Sequence, residues 1–342
     1  YIDDLNKRIK EKDPYKAGEK AAKIIIKEMI KKTTTQLGIK FDEWFSESSL
    51  YKKSKVDKVI KFLREKRLVY EKDGAVWFKS TKFGDRRDRV LVKKDGEKTY
   101  LAGDIAYHRY KFEKKKFDKV INIWGADHHG DVAGLQAGVS ALGHKGKLEI
   151  LLLQFVSIFS KGEKLKMSKR KGVYVTADEL LEEVGPDVVR FFFLQKSANT
   201  HLNFDLDLAK EQSERNPVYY VQYAYTRLHS ILKKSKIAIK EIKEFSKSES
   251  LNQLVHHSEL NLIKKLIEFP DVIKEVSENY QVHKIPQYST ELATAVHQFY
   301  RDCRVINEER KIKKARLLLV LSTKIVLKNL LDLMGINAPS KM

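Results

Sequence analysis

The chain has 342 residues, with 67 Lys or Arg against 46 Asp or Glu, and its formal net charge is +21. With 42% hydrophobic residues, 16 Gly and 6 Pro, the composition is that of a folded protein of two or three domains and excludes collagen-like and low-complexity chains. The charge indicates an anionic partner, with nucleic acid ahead of a membrane surface, although genome base composition also produces lysine-rich chains. The single cysteine, Cys303, excludes an internal disulfide and a Cys-based zinc site.

The first hundred residues predict helices followed by short strands. Apolar residues at helical spacing predict one helix over residues 1–37 and a second around 56–68. Residues 74–79 and 89–93 have the pattern of strands, with Asp-Gly turns beside them. No apolar run is long enough to span a membrane, and we expect a cytoplasmic protein.

From residue 99 onward the pattern becomes α/β. An apolar strand at 119–124 is followed by a helix at 132–142 and a second buried strand at 148–156. This order predicts a right-handed parallel crossover, the unit of doubly wound nucleotide-binding sheets. Ligands bind at the carboxyl ends of such strands, so the polar segments 125–130 and 160–172 are candidates for the chemistry.

Beyond the crossover the sequence predicts helices. Thr176 and Glu179 fit a capping box, and Gly185-Pro186 should end that helix and begin the next. From residue 216 no strand pattern remains. Apolar residues three and four apart predict further helices at 261–269, 291–305 and 315–334. The predicted fold class is therefore α/β followed by all-α.

Basic residues are concentrated between Lys161 and Lys171, where six occur and the average of 67 in 342 would give about two. Such a segment can close around a polyphosphate, and positioning and charge neutralisation provide most of the catalysis of phosphoryl or nucleotidyl transfer. A solvated hairpin turn is the alternative. Within the segment, Lys166-Met-Ser-Lys-Arg170 resembles the Lys-Met-Ser-Lys-Ser signature of class I aminoacyl-tRNA synthetases.

Three further motifs, in the order that the family has them, make the resemblance specific to arginyl-tRNA synthetase. They are Thr99-Tyr-Leu-Ala-Gly-Asp-Ile-Ala-Tyr-His-Arg-Tyr-Lys-Phe112, Ile123-Trp-Gly-Ala-Asp-His-His-Gly130 and Asn216-Pro-Val-Tyr-Tyr-Val-Gln-Tyr-Ala224. The resemblance implies the second half of a Rossmann-like class I catalytic domain followed by a helical-bundle anticodon-binding domain. The implied domains are an inserted helical and strand region at 1–98, the second half of the nucleotide-binding domain at 99–215, and the anticodon-binding domain at 216–342.

The resemblance also implies a reaction and its partners. In this family ATP, with Mg²⁺, activates arginine to arginyl-adenylate, and the arginyl group is transferred to the 3′ end of the arginine-accepting tRNA. Lys166 and Lys169 would stabilise the charge that develops on the phosphates, while Met167, Ser168 and Arg170 belong to the loop that closes over ATP. The full-length enzyme is expected to be a monomer that does not bind membranes.

Recognition of arginine requires acidic residues, because its guanidinium is a planar fork that a carboxylate meets in two parallel hydrogen bonds. The resemblance assigns this role to Asp104 and Glu47. It makes Tyr100 an aromatic residue lining the pocket and His128 a polar contact to the bound amino acid. The alternative roles are a helix N-cap for Asp104 and an exposed acid for Glu47.

The start of the all-α part is rich in tyrosine. Single-stranded anticodon bases are held by stacking on aromatic side chains and by basic residues along the backbone. The resemblance assigns contacts with the anticodon loop to Tyr220, Tyr223, Arg227, Tyr288 and Met342. Core packing is the alternative for any one tyrosine, and it is favoured for Tyr219 and Tyr225.

The chain departs from the family in one signature. No His-x-Gly-His, the second class I motif that contacts ATP phosphates, occurs in the 342 residues. We therefore expect the carboxyl-terminal portion of an arginine-tRNA ligase that cannot form arginyl-adenylate by itself. A catalytically inactive tRNA-binding fragment is the alternative function. No bound metal is expected, because the adjacent His128 and His129 point apart and neither His-x-x-x-His nor a Cys ligand is present.

Overall fold

The computed structural model describes residues 1–165, 175–247 and 249–342. They form two compact units. The pocket unit comprises Phe41–Phe155 and Ala198–His201, and the helical unit comprises Tyr1–Lys40, Val156–Ser197 and Leu202–Met342. The three domain ranges given above stay a prediction.

Helices account for most of the described residues. The α-helices are α1 (Ile2–Arg8), α2 (Pro14–Ile24), α3 (Lys31–Gln36), α4 (Ser48–Lys52), α5 (Lys55–Glu65), α6 (Tyr100–Arg109), α7 (Val132–Ala141), α8 (Ala177–Leu194), α9 (Leu206–Lys210), α10 (Pro217–Ser235), α11 (Ile239–Glu244), α12 (His257–Asn279), α13 (Lys284–Asp302) and α14 (Arg310–Met334). Ile25–Ile30 and Tyr110–Lys114 are π-helical, and short 3₁₀ helices cover Ser80–Phe83, Ala126–Asp131, Phe245–Lys247 and Glu249–Gln253. The strands are β1 (Val69–Lys72), β2 (Ala75–Phe78), β3 (Arg89–Val92), β4 (Val120–Gly125), β5 (Leu148–Leu153), β6 (Val156–Ser160), β7 (Glu163–Lys164) and β8 (Leu202–Asp205).

The pocket unit contains two sheets. Strands β1, β2 and β3 form an antiparallel meander, and Asp73 and Gly74 connect the first two with φ angles of 52° and 75°. Both angles are positive, as a two-residue type I′ hairpin turn requires. Strands β4 and β5 pair in parallel with α7 between them, which confirms the predicted strand, helix and strand order. Strands β2 and β3 were predicted, whereas β1 was not.

Two glycines let α6 approach its neighbours closely. A Cβ atom on Gly138 of α7 would lie 2.5 Å from Cγ1 of Ile105, and one on Gly103 would lie 2.7 Å from the hydroxyl of Tyr51. Real Cβ atoms do not make contacts this short, so larger residues would push α7 and α4 away. Helix α6 is therefore held in place between α4 and α7, and so are the side chains that project from it.

The prediction of one helix over residues 1–37 is wrong, because the chain leaves the helical conformation between α1 and α2. Pro14 is the first residue of α2, and the carboxylate of Asp13 accepts a hydrogen bond of 2.9 Å from the backbone N–H of Lys16. Proline has no N–H to donate and disfavours the helical conformation in the preceding residue. A new helix therefore begins at Pro14. At the first position of a helix the backbone N–H has no partner within the helix, so its absence from proline costs no hydrogen bond.

The single strand predicted at 148–156 is also wrong. Strand β5 ends at Leu153, and Val156 begins β6, which pairs with β7 and β8 in the helical unit. An apolar run does not show where a chain changes its pairing partner. The lysine-rich segment therefore follows β6 and not the second strand of the crossover.

The helical unit begins with features that confirm two local predictions. Thr176 and Glu179 form the predicted capping box at the start of α8, with N···O distances of 3.1 and 2.7 Å. Gly185, at φ 77°, breaks the helix directly before Pro186, as predicted. Helices α12, α13 and α14 contain most of the segments predicted to be helical, and Cys303 is buried in the core. In the described part of this unit, no strand follows β8.

None of the helices in the described ranges is long and apolar enough to cross a lipid bilayer. Helix α14 is the longest, at 25 residues, and it packs against α10, α12 and α13. Its apolar residues belong to the core of the helical unit.

Candidate functional site

A cavity of about 470 Å³ opens in the pocket unit at the start of α6. All four residues that the resemblance assigned to arginine binding, Glu47, Tyr100, Asp104 and His128, line it. They come from three separate segments of the chain, and the fold brings them together. Sequence reasoning did not identify the other residues of its wall, which include Arg89, Thr99, Trp124, Asp131 and Leu135.

Helix α6 presents two of these side chains. Its N-cap is Thr99, whose hydroxyl donates a hydrogen bond of 2.9 Å to the carbonyl of Val90. Tyr100 and Asp104 are four positions apart and so share one face of the helix, which faces the cavity. The alternative role of Asp104 as a helix N-cap is wrong, because Asp104 lies inside α6 and one turn beyond its start.

The surroundings of Asp104 shift the pKa of its carboxyl group. Burial raises its pKa to about 6, and the negative charges of Glu47 and Asp131 act in the same direction. The positive charge of Lys111 opposes them. Two further carboxylates therefore lie near the half-buried carboxylate of Asp104. This arrangement favours a cationic ligand, because a positive charge offsets the repulsion among the three acids.

His128 lies on the 3₁₀ helix that follows β4. Its Nδ1 atom is 3.4 Å from a carboxylate oxygen of Asp131, and its ring centroid is 5.9 Å from that of Trp124. The imidazole is exposed and available to a ligand in the cavity. Among the described residues, no three His, Cys, Asp or Glu side chains are grouped in a way that would hold a metal ion.

Arg89 contributes a positive charge that is already compensated. Its guanidinium makes a two-point contact with Asp85, with N···O distances of 2.7 and 3.1 Å, and the Asp85 side chain is only 1% exposed. A fork held in this way is rigid and neutral overall. Arg89 therefore shapes the wall of the cavity without offering a free cation.

Three polar residues behind Asp104 were missed by sequence reasoning. His108 Nδ1 lies 2.7 Å from the carbonyl oxygen of Asp104, and Asn122 lies between His108 Nε2 and the ammonium group of Lys111, at 3.0 and 3.3 Å. Burial lowers the pKa of His108 to about 4. The available signal was the spacing of Asp104, His108 and Lys111, which at i, i+4 and i+7 lie on one helical face.

A second candidate surface lies in the helical unit and is here called the tyrosine face: Tyr220, Tyr223 and Arg227 of α10 with His297 and Tyr300 of α13. The Arg227 guanidinium carbon is 4.3 Å from the ring centroid of Tyr223 and 4.5 Å from that of Tyr300. His297 accepts a hydrogen bond of 3.1 Å from Arg227 and donates one of 3.3 Å to the carbonyl of Tyr220. His297 and Tyr300 were not predicted, because their contacts with Arg227 depend on the packing of α13 against α10.

Two of the other predicted anticodon contacts differ in exposure. Tyr288 is only 4% exposed, its hydroxyl donates to the carbonyl of Lys265, and burial raises its pKa to about 12. The prediction of a surface contact for Tyr288 is therefore corrected to a core position. Met342 is 48% exposed and lines a cavity with Tyr219. Tyr225 is buried, in agreement with the core role favoured for it.

The Lys-Met-Ser-Lys motif lies outside the described residues, and this applies to Lys166, Met167, Ser168, Lys169 and Arg170. The described part of the lysine-rich segment begins with a hairpin between β6 and β7. Lys161 and Gly162 form its turn with positive φ angles of 53° and 76°. This agrees with the alternative of a hairpin turn for the start of the segment.

Comparison with known proteins places these features in a family. A family model described as tRNA synthetases class I (R), catalytic domain, matches residues 3–199, and one described as DALR anticodon binding domain matches residues 221–342. The arginine-tRNA ligase 1 of Halalkalibacterium halodurans is 48% identical over 318 residues, which are 92% of this chain and 56% of that protein.

Solved structures agree with these matches. A Campylobacter jejuni structure assigned as an arginyl-tRNA synthetase is 34% identical, with a TM-score of 0.84 over 95% of this chain and 70% of that chain. The Thermus thermophilus arginyl-tRNA synthetase, at 22% identity and a TM-score of 0.81 over 95% and 64% of the two chains, supports the fold alone.

The fold and both family models define a class I aminoacyl-tRNA synthetase catalytic domain joined to a helical anticodon-binding domain. The chain belongs to the arginyl-tRNA synthetase family. The predicted family and fold class, α/β followed by all-α, are confirmed. The chain spans about half the length of the curated relatives that it matches.

Proposed function

We propose that this chain supplies the arginine pocket and the anticodon-binding helices of an arginine-tRNA ligase. The convergence of Glu47, Tyr100, Asp104 and His128 on one cavity carries the proposal. In the whole enzyme the arginine carboxylate attacks the α-phosphate of ATP, so that arginyl-adenylate forms and pyrophosphate leaves. The arginyl group then passes to the 3′-terminal adenosine of the tRNA. Mg²⁺ accompanies ATP and neutralises part of the phosphate charge.

The residues of the cavity have complementary roles in this proposal. The carboxylate of Asp104 accepts two parallel hydrogen bonds from the guanidinium, and Glu47 provides a second negative charge beside it. The ring of Tyr100 covers the flat face of the guanidinium, and His128 contacts the polar end of the amino acid. Lysine carries a point charge instead of a fork, so it cannot satisfy both oxygens of Asp104 in the same way.

The lysine motif completes the active site in the proposal. Lys166 and Lys169 stabilise the negative charge that develops on the phosphates during the attack on ATP. Met167, Ser168 and Arg170 belong to the loop that closes over ATP. These roles come from the sequence motif.

Arginine binding is expected to depend on pH through Asp104. The pKa of Asp104 is about 6, and the guanidinium binds the ionised carboxylate. Affinity should therefore be constant above about pH 7 and fall roughly tenfold for each pH unit below the pKa, with proton release on binding near pH 6. Titration calorimetry in two buffers of different ionisation enthalpy measures both quantities. A constant affinity from pH 5 to 7 without proton release would contradict the assignment.

The second candidate function is tRNA binding without activation of arginine. It is favoured by the tyrosine face, where the rings of Tyr223 and Tyr300 pack on the guanidinium of Arg227. Arginine binding by the pure chain distinguishes the two functions, because the chain is not expected to form arginyl-adenylate by itself under either of them. Arginine binding that is lost in Asp104→Asn supports the ligase pocket, whereas no arginine binding together with specific tRNA binding supports the binding module.

The substitution Tyr220→Ala is expected to weaken binding of arginine-accepting tRNA. Stacking of one base on an aromatic ring contributes about 1–3 kcal/mol, so the dissociation constant should rise by roughly 5- to 150-fold. Fluorescence anisotropy at physiological salt measures it, with a non-cognate tRNA in parallel. The matched control is Tyr15→Ala, because Tyr15 is 90% exposed and lies on α2, outside the tyrosine face. An equal effect of both substitutions would remove the tyrosine face from the interface.

A further inference from the structure

The polar residues behind Asp104 form a chain of hydrogen bonds whose direction is fixed by chemistry. His108 Nδ1 faces the carbonyl oxygen of Asp104, which can only accept, so Nδ1 carries the proton. In a neutral ring Nε2 is then the acceptor, and the amide nitrogen of Asn122 donates to it at 3.0 Å. This leaves the amide oxygen of Asn122 to accept from the ammonium of Lys111, which can only donate, at 3.3 Å.

The members of this chain are buried to different degrees. His108 and Asn122 are 2% and 8% exposed, and Lys111 is half-buried with its ammonium 4.2 Å from the ring centroid of Tyr107. Burial lowers the pKa of Lys111, while the negative charge of Asp104 raises it. Groups this deeply buried keep their positions only when their polar atoms are satisfied, and here every link of the chain is satisfied.

The fold positions Lys111 at the end of this chain. It lies in the π-helical segment Tyr110–Lys114, directly after α6. Single π-helical turns occur often at functional sites. Neither Lys111, His108 nor Asn122 belongs to the cavity wall, so the substrate-facing oxygens of Asp104 stay free.

We propose that Lys111, Asn122 and His108 are positioning residues for Asp104, a role that depends on the proposed arginine pocket. The three hydrogen bonds hold the main chain of α6 at Asp104, and the fixed positive charge of Lys111 favours the ionised carboxylate before arginine arrives. When the guanidinium binds, it meets a carboxylate that is already charged and oriented, so less free energy is required to prepare the site.

Other charged or titratable groups also act on Asp104, and the test must hold them constant. Those that face it or lie near it come from the elements packed around α6 and from the 3₁₀ helix beside the cavity: Glu47, Tyr51, Arg89, His128 and Asp131. A substitution at Lys111 leaves all of them in place. It therefore isolates the contribution of one charge.

The experiment uses the whole chain labelled with ¹³C at aspartate carboxyl groups and ¹⁵N in histidine rings, followed by NMR from pH 4 to 8. In the unsubstituted chain we expect the Nδ1–H tautomer for His108 and no protonation of its ring above about pH 5, with Asp104 titrating near 6. Lys111→Gln keeps a donor for Asn122 but removes the charge, and it should raise the pKa of Asp104 by about one unit. Lys111→Arg should restore the original value.

The matched control is Lys114→Met, which removes an exposed lysine from the same π-helical segment. Arginine affinity measured across the same pH range separates a positioning role from a structural one. In Lys111→Gln the pH at which affinity begins to fall should move upward together with the pKa of Asp104, while affinity at pH 8 stays unchanged. A merely structural role would lower affinity equally at every pH.

Two results would overturn the proposal: His108 in the Nε2–H tautomer, or a pKa of Asp104 that does not change in Lys111→Gln. If Lys111→Gln does not fold, Lys111→Met removes the same charge, together with the hydrogen bond to Asn122, and the pKa of Asp104 should again rise. If NMR gives the expected tautomer and pKa changes but arginine does not bind, the arginine pocket is rejected and the hydrogen-bond chain is retained. Arginine binding with an unchanged Asp104 would reject the hydrogen-bond chain alone.

Discussion

The substitution Asp104→Asn is expected to lower the affinity for arginine by about 100-fold or more. Asparagine has the same shape, but it offers the guanidinium one oxygen and an NH₂ group that cannot accept a hydrogen bond. Removing one partner of a buried charge pair costs about 3–5 kcal/mol, and each 1.4 kcal/mol corresponds to about a factor of ten in affinity. Equilibrium dialysis with radiolabelled arginine at pH 7.5 measures the change.

Glu47→Gln provides the comparison within the same cavity. Glu47 is exposed to solvent, where an ion pair contributes only about 0–1 kcal/mol, so its effect should be several-fold at most. Glu43→Gln is the control outside the cavity, because Glu43 pairs with Lys115 and Tyr110 instead. If Asp104→Asn binds arginine as tightly as Glu43→Gln does, Asp104 is not the guanidinium ligand.

The substitution Arg316→Met is expected to lower the free energy of unfolding of the helical unit by about 3–5 kcal/mol. Glu259 is completely buried in the first turn of α12. One of its carboxylate oxygens accepts from Arg316 at 2.6 Å and the other from the backbone N–H of His256 at 2.8 Å. Without Arg316, the part of the chain that the structure describes offers no other ion pair for the buried carboxylate of Glu259.

Urea denaturation followed by far-UV circular dichroism measures this loss. Tryptophan fluorescence would report on the other unit, since Trp44, Trp77 and Trp124 all belong to the pocket unit. Arg301→Met is the matched control, because the Arg301 side chain is 73% exposed and solvent screens its ion pair with Asp302, so its removal should have little effect on stability. The double substitution Glu259→Leu with Arg316→Met should recover most of the stability. A single substitution Arg316→Met without effect would show that the ion pair makes no net contribution.

Elements with local signals were predictable from the sequence. Neighbouring residues alone indicate the capping box of Thr176 and Glu179 and the break at Gly185-Pro186. The parallel pairing of β4 and β5 follows from the order of strand, helix and strand along the chain. Pro14 is an equally local signal for the start of a new helix, but the helical spacing of apolar residues over 1–37 led to the prediction of one continuous helix. The change from β5 to β6 had no local signal, because the partner of β6 is β8, more than forty residues later.

The same distinction explains what was found of the candidate site. The four cavity residues were identified through the resemblance to the family. Asn122, in contrast, contacts His108 from a strand, and His297 contacts Arg227 from another helix. Contacts between different elements depend on tertiary packing, which the spacing of residues along the sequence does not predict. The prediction for Tyr288 was wrong for a different reason: a match to a family position gives no information about how exposed the side chain is.

The neighbouring positions of Asp104 and His108 have a consequence for the acid tolerance of the pocket unit. Asp104 has a pKa of about 6 against an ordinary value of 3.8, so between these values the folded state binds the extra proton and acidification stabilises it. His108 has a pKa of about 4 against 6.5, so over nearly the same range the unfolded state binds the extra proton and acidification destabilises the fold. The two linkages have opposite signs and offset each other. The unit can therefore keep a deprotonated imidazole beside a readily protonated carboxyl without making its folding free energy steeply dependent on pH.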